Sequence, residues 1–166
     1  MSSRHRARQW GFGLGTLCAL AALGYAALWH AGGYALARLE RLRCEPLRVV
    51  DRHGITLRES AGCSGWTRLA DVPEVWRALV VAGEDRRFQL HAGVDLPAVA
   101  RALVSNLRAG HIVSGASTLS MQLARGLFPE CRGRTLRAKL QQAFWAIALE
   151  RRSSKAEILE GYLNVA

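Results

Sequence analysis

The sequence predicts a mainly α-helical domain that follows a small β-hairpin and an N-terminal transmembrane helix. Three observations support this prediction. An uncharged apolar run follows a basic N-terminus, short apolar runs flank an Asp-Arg-His-Gly turn, and from Pro73 onward apolar residues recur at helical spacing. At 166 residues, half of them apolar, the chain has room for one packed domain and is too apolar for wholesale disorder.

The transmembrane helix is predicted for residues 10–37. The run from Trp10 to Trp29 carries no charge, and about 20 such residues in a helix cross the hydrocarbon core of a bilayer. It is preceded by a basic cluster, Arg4, His5, Arg6 and Arg8. The positive-inside rule therefore places residues 1–9 in the cytoplasm and the rest of the chain outside. A cleaved signal peptide is the alternative, because Ala35-Leu36-Ala37 resembles a processing site.

Residues 38–66 are predicted to form a juxtamembrane segment and the hairpin. Arg38 to Arg43 is basic and helical in pattern, so anionic lipid headgroups would attract it. Leu47 to Val50 and Ile55 to Leu57 flank the turn and are the predicted strands. Residues 62–65 are predicted to be a loop.

The four cysteines leave two interpretations open. Cys18 lies inside the predicted span, whereas Cys44, Cys63 and Cys131 would face an oxidising compartment, where Cys44 and Cys63 are a candidate disulfide pair. Isolated small apolar side chains are the alternative. No CxxC spacing or His/Cys cluster predicts a structural zinc site.

Residues 67–166 are predicted to form the helical domain. Its first helix has an apolar face made of Val72, Val75, Trp76, Leu79 and Val80. Asp95 is expected to cap the second helix, with Pro97 in its first turn and Gly110 at its end. The apolar stripe of that helix consists of Leu96, Val99, Leu103 and Leu107.

Three further helices are expected after a Gly/Ser loop at residues 111–116. Ser117 is the predicted cap of a helix carrying Leu119, Leu123 and Leu127. After a break at residues 129–133, a long helix has one apolar side, formed by Leu136, Leu140, Phe144 and Ile147. A capping box of Ser154 and Glu157 opens the last helix, which carries Ile158, Leu159, Tyr162 and Leu163. Its pattern runs to Ala166 without a closing cap, so we expect the domain to be incomplete at its C-terminus.

A dense polar segment follows the first helix of the domain and is the candidate catalytic segment. It contains Glu84, Asp85, Arg86, Arg87, Phe88, His91, Gly93 and Asp95. Glu84 comes after Gly83 and small apolar residues, a boundary where partial desolvation suits a carboxylate to take up a proton. The alternative is a solvated helix end at which Glu84 pairs with a nearby arginine.

Two basic or glycine-rich features predict an anionic ligand. Gly115 to Ser117 leads into a helix start, where free backbone N–H groups and the helix dipole favour phosphate, and Arg125 lies two turns further. It is not a P-loop, because the Gly-Lys-Ser/Thr element is missing. The last two helices carry Arg134, Arg137, Lys139, Arg151, Arg152 and Lys155, and the net charge is +10. A diphosphate, a nucleic acid backbone and a lipid surface all suit such cations, and a solvated face is the default.

Together these segments resemble glycosyltransferase family 51, the transglycosylase domain of class A penicillin-binding proteins and of monofunctional transglycosylases. The resemblance covers roughly residues 45–166. The first motif is matched by Glu84, Asp85, Phe88, His91, Gly93 and Asp95. The second is matched by Gly115, Ser117, Thr118 and Met121 to Arg125, and the fourth by Lys155, Ile158 to Glu160 and Tyr162 to Asn164. Met121-Gln122 and Leu149 to Arg152 most resemble the 1C type of penicillin-binding protein.

The resemblance implies a lysozyme-like fold with a jaw that dips into the membrane. In that family the first-motif glutamate is the general base, a role that falls on Glu84. It would deprotonate the 4-hydroxyl of an acceptor lipid II, whose oxygen attacks the anomeric carbon of the donor glycan, inverts it and expels undecaprenyl diphosphate. A single-pass protein of the bacterial inner membrane with a periplasmic catalytic domain is implied.

The resemblance also implies the substrate-binding residues. Positions that hold the donor's diphosphate and sugars are matched by Ser117, Gln122, Arg125 and Lys139, and Phe88 and His91 would shape the cleft. The first and second motifs add Asp85, Gly115 and Thr118, and the third motif adds Gln142. The chain departs from the family at Gln142, where a second glutamate is usual, and at Met121, which replaces the first residue of a Gln-Gln pair. The fifth motif and a Ser-x-x-Lys transpeptidase signature are not found in the sequence.

The implied partners are lipid II, the nascent glycan strand, inner-membrane lipids and cell-wall synthesis proteins. Some family members use a divalent cation, Mg²⁺ or Mn²⁺, at the diphosphate, but no dedicated ligand set is visible here. One alternative is a truncated, non-catalytic membrane-anchored remnant that binds lipid II or a cell-wall partner. A lytic muramidase would use the lone glutamate as an acid. A nucleic acid binder is disfavoured, because the anchor exports the domain and the basic segments contain few aromatic residues.

Overall fold

The computed structural model describes residues 3–43, 48–59, 65–133 and 135–165, with the backbone alone for residues 3–15 and 48–49. Within these ranges the chain is mainly α-helical, as predicted. In chain order the elements are α1 (Ser3–Arg43), β1 (Arg48–Val50), β2 (Thr56–Glu59), α2 (Glu74–Glu84), α3 (Leu96–Ala109), α4 (Leu119–Leu127), α5 (Leu136–Glu150) and α6 (Lys155–Val165). Several residues named in the sequence predictions lie outside the described residues: Cys44, Leu47, most of the 62–65 loop including Cys63, Arg134 and Ala166.

Helix α1 is 41 residues long and runs without a break through both the predicted anchor and the basic stretch after it. Its C-terminal part packs against α5, and Ala35 and Leu39 are buried there. Further towards the N-terminus the large apolar side chains are exposed, among them Leu17, Leu20 and Leu23. Within the described ranges, no helix combines the length and the apolar character that crossing a membrane requires. The predicted membrane span is therefore not confirmed.

The predicted hairpin is confirmed. Strands β1 and β2 pair antiparallel, with Val49 opposite Arg58 and an irregular register at the next residue. The Asp51 carboxylate closes the turn, since its Oδ1 accepts hydrogen bonds from the N–H groups of His53 and Ile55, both at 2.8 Å. This is the local bonding that makes aspartate favourable at the start of a turn.

The core lies around α4, which packs against α5 and α6 and more lightly against α1. The predicted stripe of α4 is confirmed, since Leu119, Leu123 and Leu127 are all buried. From the neighbouring helices, the core is completed by Leu39, Leu149, Ile158 and Leu159. Cys131 is also buried in this core, with a free thiol, and burial raises its pKa to about 11. It therefore behaves as a small apolar side chain.

The predicted apolar faces of α2, α3 and α5 are exposed at most of their positions. The exceptions are Val80, which packs half-buried against the core, Ile147, which is half-buried, and Val72, which is half-buried and lies before α2 begins. Exposed fractions run from 41% for Val99 to 77% for Leu136, and the other members are Val75, Trp76, Leu79, Leu96, Leu103, Leu107, Leu140 and Phe144. The sides of α3 and α5 that face the protein interior carry small residues instead, namely Ala98, Ala102, Ala138, Ala146 and Ala148. Periodicity identifies an apolar face but not what covers it.

Most predicted helix ends are confirmed. Asp95 caps α3 by accepting a hydrogen bond from Ala98 N–H at 3.2 Å, and Gly110 ends that helix with a φ of +70°. Ser154 and Glu157 form the capping box before α6. The prediction for α4 was wrong by one residue, because Thr118 rather than Ser117 accepts the hydrogen bond from Met121 N–H.

The carboxylate of Glu160 on α6 joins three parts of the chain. It accepts hydrogen bonds from the indole N–H of Trp66 at 2.8 Å and from Leu69 N–H at 2.7 Å, and it pairs with Arg43 at the end of α1. Burial opposes the ionisation of Glu160, but these three donors outweigh it and keep the pKa of its carboxyl below the usual value. Glu160 therefore fixes the C-terminal end of α1 and the segment before α2 on the core.

We expect Glu160→Gln to lower the free energy of unfolding by about 2 kcal/mol at neutral pH, because half-buried donors lose a charged acceptor. A carboxyl with a lowered pKa stabilises the fold above its unfolded-state pKa, and this stabilisation disappears as the pH falls through the folded-state pKa. The deficit of the variant should thus shrink below about pH 4. Thermal unfolding at neutral pH and below about pH 4 measures this deficit in stability, and Glu130→Gln, at an exposed position, is the control. An equal deficit at both pH values would contradict this account.

Candidate active site

Glu84 is the last residue of α2 and projects into a cleft of about 480 Å³. Helix α2 ends here because Asp85 leaves the helical conformation, at φ −155° and ψ 77°. The carboxylate of Glu84 is exposed, and its Oε2 accepts a hydrogen bond from the side-chain amide of Gln122 at 2.9 Å. Ser117 lines the same cleft. The predicted base and two predicted substrate-binding residues are thus brought together.

Asp85 explains why Glu84 and Gln122 meet. Its side chain is buried and accepts hydrogen bonds from the imidazole Nε2–H of His91 at 3.0 Å and from Leu119 N–H at 3.1 Å. Because Leu119 is the first residue of α4, this carboxylate fixes the end of α2 against the start of α4. Gln122 then lies one turn into α4, beside Glu84.

Phe88 and His91 lie behind the cleft rather than on its wall. The Phe88 ring is fully buried, with the Lys155 ammonium 4.5 Å from its centroid. His91 lines a separate cavity of about 430 Å³ together with Arg87 and Arg151. Both side chains therefore shape the site through packing and through the bond from His91 to Asp85.

A cation-rich side of the site is built around Lys139 on α5. Its ammonium donates hydrogen bonds to Ser117 Oγ at 2.6 Å and to Gln142 Oε1 at 3.0 Å. Gln142 is buried, and its side-chain amide donates a hydrogen bond to the Cys131 carbonyl at 2.6 Å. Burial, reinforced by the positive charge of Arg125, lowers the pKa of Lys139. Two cations that repel each other in a partly desolvated site would be stabilised by an anion between them.

A second cleft, of about 400 Å³, is lined by Gln122, Arg125 and Arg132. Glu84 lines the first cleft and Gln122 the second, so the hydrogen bond between them lies where the two clefts adjoin. A single carboxylate at this junction can reach groups bound on either side.

The start of α4 differs from the predicted open anion site. The N–H group of Leu119 donates to Asp85 and that of Met121 donates to Thr118 Oγ1, so both already have protein acceptors. Thr118 is itself buried, and its hydroxyl donates to the Gly93 carbonyl at 2.6 Å. The positive charge available to a ligand therefore comes from cationic side chains, Lys139 and Arg125 among them, rather than from this helix end.

Residues 53–166 match the family model described as Transglycosylase. This chain belongs to the transglycosylase family. The match begins within the turn of the hairpin and includes every residue of both clefts. The chain is 43% identical over 99 residues to penicillin-binding protein 1A of Neisseria cinerea, an alignment that covers 60% of this chain and 12% of that protein. It is 47% identical over 93 residues to penicillin-binding protein 1A of Aquifex aeolicus, covering 56% of this chain and 13% of that one.

Penicillin-binding protein 1B of Vibrio cholerae is 41% identical to this chain over 123 residues, which cover 74% of this chain and 15% of that protein. The chain therefore spans between 12% and 15% of the length of these three relatives. Because their names include both 1A and 1B, the comparisons support the class of penicillin-binding protein but not the 1C type.

Three arginines of the first cleft were not singled out as binding residues by the sequence. Arg86, Arg87 and Arg101 all line the first cleft. Arg86 contacts the Ala82 carbonyl and Arg87 pairs with Asp95 at 3.2 Å, so neither forms the ion pair with Glu84 that was the alternative interpretation. The position of Arg86 and Arg87 close to Glu84 in the sequence could have identified them. Arg101 on α3 belongs to no motif, and only the fold brings it to the cleft.

Proposed function

We propose that this transglycosylase is a peptidoglycan glycosyltransferase, which polymerises lipid II into glycan strands and releases undecaprenyl diphosphate. The observation that carries the proposal is the juxtaposition, on one cleft, of an exposed carboxylate and a hydroxyl group that is hydrogen-bonded to an ammonium group. Glu84 accepts a hydrogen bond from Gln122, and Ser117 lies 2.6 Å from the ammonium of Lys139. A proton acceptor beside cationic side chains suits transfer of a sugar away from a diphosphate.

In the proposed reaction Glu84 takes the proton of the acceptor's 4-hydroxyl group. The oxygen forms a bond to the anomeric carbon of the donor, on the face opposite the diphosphate, as the bond to the phosphate oxygen breaks. The electron pair of that bond leaves with undecaprenyl diphosphate, and the anomeric carbon is inverted. A general base accounts for about 10²–10⁴-fold in rate, so charge stabilisation of the leaving group by Lys139 and Arg125 supplies much of the rest.

Gln122 has a distinct part in this proposal. Its amide donates to Oε2 of Glu84, which orients the carboxylate. In the described part of the chain the second oxygen, Oε1, accepts no hydrogen bond from a protein donor, and it is therefore the oxygen that we assign to the substrate proton. The two clefts that adjoin at this bond offer space for a donor and an acceptor.

We also propose that the transglycosylase is a single-pass protein of the bacterial inner membrane. Residues 10–37 would be the anchor, the N-terminus would be cytoplasmic, and the domain at residues 67–166 would face the periplasm. The exposed leucines of α1 and the basic residues before the run support this arrangement. The exposed apolar faces of α2 and α3 fit a jaw that contacts lipid.

A divalent cation at the diphosphate would depend on the substrate for its ligands. Both oxygens of Asp85 are within hydrogen-bonding distance of His91, and those of Asp95 are engaged by Ala98 N–H and Arg87. Across residues 16–43, 50–59, 65–133 and 135–165, no three His, Cys, Asp or Glu side chains form a metal-binding group. These residues do not fit a dedicated metal site, and no step here uses a metal.

Assignment to the 1C type is a further proposal. It is supported by Met121 in front of Gln122 and by Gln142 in place of a glutamate. Gln142 suits the observed geometry, because its amide can both accept from Lys139 and donate to the Cys131 carbonyl, which an ionised glutamate could not do.

Incubation of the purified protein with fluorescent lipid II in detergent tests the proposed activity. We expect glycan chains of increasing length on a gel, with one undecaprenyl diphosphate released for each bond formed. Binding of lipid II without polymer would replace the proposal with a binding role. Shortening of preformed glycan strands would instead favour a muramidase.

A further inference from the structure

We propose that Asn106 is a positioning residue that holds the cleft wall against the diphosphate of the lipid-linked donor. The inference rests on the proposed function, since the ligand is the donor assigned there. Asn106 belongs to α3 and to none of the family motifs described above. It is set apart by its contacts with the loop that precedes α4.

The side chain of Asn106 binds this loop through three hydrogen bonds. Its Oδ1 accepts from Val113 N–H at 2.8 Å and from Ser114 N–H at 2.9 Å, and its Nδ2 donates to the Ser114 carbonyl at 3.0 Å. A single amide thus satisfies three backbone groups of a segment that has no regular secondary structure. Gly110, at a φ of +70°, turns the chain so that residues 113–114 lie beside α3.

Packing contributes little to the order of this loop. Ile112 is 86% exposed and Val113 is 54% exposed, so neither side chain is held by the core. The hydrogen bonds of Asn106 are therefore the main restraint on residues 113–114 among the contacts of the described chain.

A second anchor lies four residues further along. Thr118 is buried and its hydroxyl donates to the Gly93 carbonyl. Only Gly115, Ala116 and Ser117 lie between the two anchors, and all three line the first cleft. Asn106 therefore determines where this short wall begins, and with it where Ser117 meets Lys139.

Replacement of Asn106 tests this role through the KM for lipid II and through amide hydrogen exchange in the same full-length protein. We expect Asn106→Ala to raise KM on the order of tenfold, which corresponds to ~1.4 kcal/mol, with kcat changed less than about twofold. The amides of Val113 and Ser114 should lose protection, whereas those of α4 and α6 should keep it. Asn106→Asp retains the acceptor for both amides but loses the donor, so its effects should be intermediate.

Gln89→Ala is the matched control, because it removes an exposed side-chain amide that has no role in the loop or the cleft. Unchanged KM in Asn106→Ala would overturn the inference, whether or not the two amides lose protection. Loss of protection throughout the domain would also overturn it, because Asn106 would then support the fold as a whole. A wild-type protein that forms no glycan would contradict the proposed function, whereas hydrogen exchange still decides whether Asn106 orders the loop.

Discussion

Glu84→Gln is expected to abolish glycan polymerisation, with kcat reduced by at least about 10²–10⁴-fold, while lipid II still binds. The substitution keeps the size and shape of the side chain. The new amide oxygen can still accept the hydrogen bond that Gln122 donates to Glu84. The negative charge and the capacity to take up a proton are lost, whereas the shape of the cleft should remain intact. Polymer formation from lipid II and equilibrium binding of lipid II measure the two effects separately.

The matched control is Glu74→Gln, which removes the same charge from the exposed first turn of the same helix. Its activity should equal that of the wild type. Full polymerisation by Glu84→Gln would remove this carboxylate from the chemistry. Loss of binding together with activity would instead assign Glu84 to holding the substrate.

Lys139→Ala is expected to lower kcat/KM on the order of 10²–10³-fold, because the leaving diphosphate loses a cation held in a partly desolvated site. Ser117 would lose its hydrogen-bond partner and Gln142 one of its two. Arg137→Ala is the control, since it removes a positive charge from the exposed surface of the same helix. Equal losses in both variants would attribute the effect to net charge rather than to this position.

The charge of Lys139 also predicts a pH dependence. Burial, together with the neighbouring charge of Arg125, lowers the pKa of its ammonium. The charged form is present below that pKa, so activity should fall as the pH rises through a value lower than that of an ordinary lysine. A bound diphosphate favours the charged form, and kcat/KM, which reports the free enzyme, should show the effect most clearly. An alkaline limb at the pH of an unperturbed lysine would contradict this assignment.

Local sequence signals predicted most of the elements of the fold. The turn at Asp51, the cap at Asp95 and the capping box at Ser154 each depend on bonds within four residues, which spacing reveals directly. The environment of the helix faces could not be predicted in this way. The stripes of α2, α3 and α5 have the same period as that of α4, yet only the stripe of α4 is buried.

The sequence predicted which residues form the candidate site better than it predicted the contacts between them. Glu84, Ser117 and Lys139 were named from motifs, but Glu84 and Gln122 are 38 positions apart and their hydrogen bond depends on how α2 meets α4. Asp85 fixes that junction by accepting a hydrogen bond from the N–H group at the start of α4, where the sequence predicted that an anion binds. Arg101 and Asn106 reach the site and its loop only through the packing of α3, so no local signal marked them.

A structure of Glu84→Gln bound to lipid II would test the central claim most directly, by giving the distance from residue 84 to the acceptor's 4-hydroxyl oxygen. We predict that this oxygen lies within about 3.2 Å of the side chain of residue 84, with the diphosphate between Lys139 and Arg125. An acceptor hydroxyl far from residue 84, or a diphosphate away from both cations, would contradict the proposed mechanism.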